Sequence, residues 1–76
     1  MPRLASLEGV DITMYFKDHA PPHVHAFHGD DEVLVEIRGG GVYAGSLPAA
    51  KLAVVRAYVA ASMDDLLARW ASYGGG

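Results

Sequence analysis

Four histidines fall within the segment Asp18-His19-Ala20-Pro21-Pro22-His23-Val24-His25-Ala26-Phe27-His28. His23 and His25 are two residues apart, which on a β-strand turns both imidazoles to the same side, about 7 Å apart. Two neutral imidazoles on one face are a common pair of metal ligands. Asp18 or His19 from the preceding loop, or Glu36 from a neighbouring strand, offers a third. Such a set suits a divalent transition metal (zinc, iron, manganese or nickel), and an open coordination position would support hydrolytic or oxidative chemistry. The same histidines also suit metal-free acid–base chemistry on RNA. His19, His23 and His25 are then the candidate catalytic residues, Lys17 or Arg38 faces phosphate, and Tyr15 and Phe27 stack bases. A third reading is architectural: His19 or His23 bonds carbonyls in the proline loop, and Asp18 caps its own turn.

Whichever holds, the flanking elements must position these groups. From Val10 the chain alternates, with Val10, Ile12, Met14 and Phe16 against Asp11, Thr13, Tyr15 and Lys17. Period two with branched and aromatic residues predicts a half-buried strand. Pro21-Pro22 ends it, since each proline removes a backbone donor and restricts the residue before it. His23–His28 and Glu32–Arg38 alternate again around Gly29-Asp30-Asp31. A two-residue loop at Asp30-Asp31 sets Val24 opposite Ile37, Ala26 opposite Val35 and His28 opposite Val33. The other face then carries His23 opposite Arg38, His25 opposite Glu36 and Phe27 opposite Leu34, with His28 turned toward the core. A one-residue slip would mix the faces.

Gly39-Gly40-Gly41 predicts a second turn, leading to a short strand around Val42–Ser46. Pro48 suits the first turn of a helix, and Leu52, Val55, Val59, Met63, Leu66 and Trp70 form one apolar stripe at helical spacing. Ser62 before Asp64 and Asp65 marks a place where that helix can kink or break. Gly74-Gly75-Gly76 is expected to fray. The expectation is an α+β fold of two layers: an antiparallel three- to four-stranded meander covered on one face by a long C-terminal helix, as a single domain over residues 1–76.

Composition narrows the partners. No stretch reaches the roughly 20 apolar residues of a membrane span, and no cysteine is present for disulfides or thiolate chemistry. Met1–Ser6 lacks the apolar run of a secretory signal, so the expected location is cytoplasmic. The net charge of −3, with basic residues scattered, weighs against general nucleic-acid binding and supports RNA only weakly.

The residues Met14-Tyr15-Phe16, Asp18-His19, Pro21-Pro22-His23 and His25-Ala26 resemble a family of small bacterial proteins that carry domain of unknown function 4160. Gly45-Ser46-Leu47-Pro48, Leu66-Leu67 with Trp70, and the opening Met1-Pro2 with Gly9 extend the resemblance over nearly the whole chain. The family has no established activity. The resemblance implies a gene paired with a second small gene, in a toxin–antitoxin-like arrangement. The reading placed first is therefore a protein-interaction module, binding a small protein partner or a second copy of itself. Its surface would be the strip Tyr15, Phe27 and Leu34 with Arg38 at the rim, since exposed apolar strips rimmed by charge mark interfaces. A metal-binding histidine cluster and a small histidine-dependent ribonuclease stand as the alternatives.

Overall fold

The computed structural model describes residues 3–76. Five strands follow in order: β1 (Arg3–Leu7), β2 (Val10–Thr13), β3 (His23–His28), β4 (Asp31–Glu36) and β5 (Val42–Gly45). Two helices close the chain, α1 (Ala49–Ala61) and α2 (Met63–Ser72). Each strand pairs antiparallel with the next, so the sheet is a meander in sequence order. The α+β class matches the expectation, but the described residues form five strands and two helices rather than three or four strands and one helix. Met1 and Pro2, part of the resemblance noted above, lie outside the described residues.

The additional strand, β1, is joined to β2 by Glu8-Gly9, both in the left-handed region with φ of 48° and 80°. Positive φ at both central residues is the type I′ geometry, whose twist matches that of the flanking strands. The β3–β4 loop is Gly29-Asp30, with Gly29 at φ 58°, not Asp30-Asp31. The register therefore differs from the expected one by two residues. Val24 faces Val35, Ala26 faces Val33, His25 faces Leu34, and His23 faces Glu36. A shift of two preserves side-chain parity, so the branched residues still share a face.

That face makes the core. Val10, Ile12, Val24, Ala26, Val33 and Val35 are buried with Met14, Ile37 and Leu47, against Val55, Val59, Leu66 and Trp70 of the helices. Ile12 sits on an inner strand and has no exposed surface. Ile12→Val is expected to cost about 0.5–1.5 kcal/mol in denaturant unfolding, the usual cost of one buried methyl group.

Three packing expectations are corrected. Phe16 is 58% exposed, because β2 ends at Thr13 and the chain turns at Lys17, whose φ is 56°. Met63 is exposed rather than part of the helical stripe. Its phase is lost at Ser62, where the helix breaks with φ −116° and ψ 16°. The Ser62 side chain makes no capping bond there. Asp64 and Asp65 occupy the first turn of α2, where carboxylates favour the positive end of the helix dipole. His28 shares the parity of the core residues but lies half-buried at the rim, its Nδ1–H donating to the Gly9 carbonyl at 3.0 Å. No helix among the described residues is long and apolar enough to cross a membrane.

Candidate metal centre

β3 carries His23 and His25 on one face, and the Pro21-Pro22 loop brings the chain from Asp18 back to them. The Ala20–Pro21 peptide is cis. Asp18 Oδ2 lies 3.0 Å from His23 Nε2 and 3.1 Å from His25 Nε2. One ligand atom from each of the three residues lies within 4.8 Å of the other two. His23 is fully buried, while His25 and Asp18 are partly buried.

The hydrogen bonds fix which ring nitrogens face the centre of this cluster. His23 Nδ1 is 2.7 Å from the Pro21 carbonyl oxygen. A carbonyl only accepts, so the proton sits on Nδ1 and a neutral ring turns its Nε2 lone pair toward Asp18. Although Nε2 is within ion-pair distance of Oδ2, the contact is poorly directed, and Nε2 is a buried nitrogen without a hydrogen-bond partner. His25 is held between two carboxylates, with Nδ1 2.9 Å from Glu32 Oε2 and Nε2 3.1 Å from Asp18 Oδ2. A neutral imidazole donates to only one of them. Two Nε2 atoms and one carboxylate oxygen thus converge with fewer protons than they need.

The aromatic surround is close. Tyr15 meets the His25 ring edge-on at 4.4 Å, and Phe27 stacks at 6.5 Å. Tyr43 and Trp70 lie 5.4 Å and 5.2 Å from the His23 ring. His19, three-quarters exposed, stands at the outer side, its Nδ1 3.2 Å from Asp18 Oδ1. Burial raises the Asp18 pKa, but the hydrogen bonds from the His25 ring and the His19 backbone N–H, with the charges of His23 and His25, outweigh it and hold the carboxyl below its ordinary value. A lowered pKa in the folded state stabilises the fold above the unfolded value and loses that contribution as pH falls through the folded one. The metal-free protein is therefore expected to lose stability on acidification below about pH 4, the ordinary aspartate range. Thermal melts across that range should show a smaller loss for Asp18→Asn than for the parent.

The structure brings together Asp18, His23 and His25, with His19 beside them. Glu36, the other expected ligand, stays outside: it faces His23 in the ladder, but its carboxylate is directed toward Gly41. Glu32 approaches His25 instead, because the hairpin turns at Gly29-Asp30. That partner was missed for want of the register. Of the expected interaction strip, Tyr15 and Phe27 gather around His25 and Leu34 faces it, all half-exposed, while Arg38 is exposed in the turn after β4. A groove of about 650 Å³ beside α1, lined by Ile37, Gly40, Arg56 and Met63 among others, shares no residue with the histidine cluster.

No curated protein and no solved structure matches the chain. The family model described as domain of unknown function (DUF4160) matches residues 9–71, a span that includes β2, the proline loop, β3 and the clustered Asp18, His23 and His25. The chain belongs to the DUF4160 family.

Proposed function

We propose that this protein binds one divalent transition-metal ion through Asp18, His23 and His25. The observation that carries the reading is His23 Nε2, a buried nitrogen with no hydrogen-bond partner, turned toward a carboxylate by the Pro21 carbonyl behind the ring. A cation at that point satisfies all three converging atoms at once. A tetrahedral zinc ion with ligands at about 2.0–2.1 Å holds them about 3.3 Å apart. The two Asp18 contacts, 3.0 Å and 3.1 Å, are near that spacing. The outer contacts also follow the pattern of metal-bound histidines, whose second N–H is given to a carbonyl or carboxylate. Pro21 does this for His23, and Glu32 for His25.

Three protein ligands leave at least one position for water or substrate, the arrangement of a catalytic rather than a purely structural zinc site. A bound ion would there supply Lewis acidity and an acidified water. The test is metal content after tag-free purification and gentle dialysis. One ion per chain supports the reading, and metal-free protein that takes up none on reconstitution refutes it. The interaction-module reading keeps a narrower footing in the exposed Val42 and Tyr43 of β5, the terminal strand of the sheet.

A further inference from the structure

The chain beyond α2 was expected to fray, yet it packs against the loop that carries Asp18. Lys17 N–H donates to the Tyr73 carbonyl at 2.8 Å, and Gly76 N–H donates to the Asp18 carbonyl at 2.9 Å. These two bonds bracket Asp18 in sequence. The tail is fixed in turn to α2, through Gly75 N–H to the Trp70 carbonyl at 3.0 Å and Trp70 Nε1–H to the Gly76 carbonyl at 3.1 Å. Phe16 and Tyr73 pack ring to ring at 4.8 Å on the same seam. Gly75 lies so close over the indole that any Cβ there would collide with the Trp70 ring. The same indole lies 5.2 Å from His23. One continuous path of contacts therefore runs from the tail to two of the three ligands.

We infer that residues 73–76 are a positioning strap, which holds the Asp18 carboxylate at the metal centre and sets the affinity of the site. His23 and His25 are carried by an inner strand and need no such help. Asp18 lies in a loop outside the sheet, where the backbone bonds to the strap are the structure's main hold on its main chain. Undocking the strap frees Asp18 to leave the two imidazoles, which lowers affinity without touching a ligand. Because coupling is reciprocal, a bound ion must tighten the strap by the same factor as the strap tightens the ion. The inference rests on the metal reading above, and the experiment separates the two.

Zinc affinity is measured by competition with a chromophoric chelator for the parent chain and for Gly75→Ala, whose added methyl group displaces the strap from Trp70. The affinity of Gly75→Ala is expected to fall about ten- to a hundredfold, the range found when groups supporting a ligand are removed. On the unaltered chain, hydrogen exchange at the Lys17 and Gly76 amides is followed with and without zinc. Zinc is expected to slow both, and this readout holds whether or not the variant folds. If the parent chain binds no zinc, the metal reading falls and the strap's role with it. If the parent binds zinc, but Gly75→Ala binds equally well or the two amides exchange at unchanged rates, the strap inference alone is overturned.

Discussion

Asp18→Asn is expected to abolish metal binding and to make the metal-free protein more stable. The two effects have opposite signs for one reason. In the parent chain a carboxylate with no proton faces the Nε2 atoms of His23 and His25 at 3.0 Å and 3.1 Å. With the His23 proton committed to Pro21, its Nε2 meets the Asp18 carboxylate as acceptor against acceptor. An asparagine amide brings N–H groups to the same place, one of them for His23 Nε2. Its oxygen still accepts the His19 backbone N–H that Asp18 Oδ1 accepts at 2.9 Å. The gain should be on the order of 1 kcal/mol, the net value of a satisfied buried hydrogen bond. Thermal or urea unfolding of metal-free protein measures it. If Asp18 served only to tie the loop, the same substitution would instead destabilise, since a charged acceptor would be lost.

His23→Ala and His25→Ala are expected to be alike in metal binding and unlike in stability. Each removes a ligand, so each should weaken zinc binding by more than about a hundredfold, the upper end of what even outer-shell partners contribute. Stability separates them through burial. The His23 ring is fully enclosed beside Trp70 and Tyr43, and its loss leaves a cavity and an unpaired Pro21 carbonyl. That combination should cost about 2–4 kcal/mol. The His25 ring keeps some solvent exposure, and of its partners Glu32 is exposed and Asp18 partly so, so removal strands no fully buried polar atom. A cost near 1 kcal/mol is expected, mainly the lost contacts with Tyr15 and Phe27. His25→Ala is thus the cleaner probe of the site.

The histidine face was legible because strand alternation has period two, and that period also made the reading tolerant of error. The true β3–β4 register differs by two residues from the expected one, so every side chain kept its face while every partner changed. Faces therefore came out of the pattern and Asp18 stood among the candidates beside them, but Glu32, the outer partner of His25, did not. Glu36 and Glu32 have the same parity, and only the position of the turn chooses between them. Gly29 takes the first position of this loop, where φ is positive and glycine incurs no steric cost.

What lay outside the pattern was tertiary. β1 carries little alternation, and its signal was the Glu8-Gly9 turn rather than the strand. Phe16 continues the β2 alternation perfectly, yet the chain has already left the sheet to meet Tyr73. The three terminal glycines look like a fraying end, since nothing in a local sequence window announces that Gly75 will lie against an indole. The Ser62 break was signalled by Ser62-Met63-Asp64-Asp65, although the serine contributes backbone geometry there and no side-chain cap.

The most direct test of the metal centre is a zinc titration of tag-free, metal-free protein, run beside His25→Ala under identical conditions. The parent should reach saturation at one ion per chain, and His25→Ala, still folded, should show no saturable binding in the same concentration range. A parent chain that binds no zinc, or a His25→Ala variant that binds it equally well, would contradict the assignment of Asp18, His23 and His25 as a metal site.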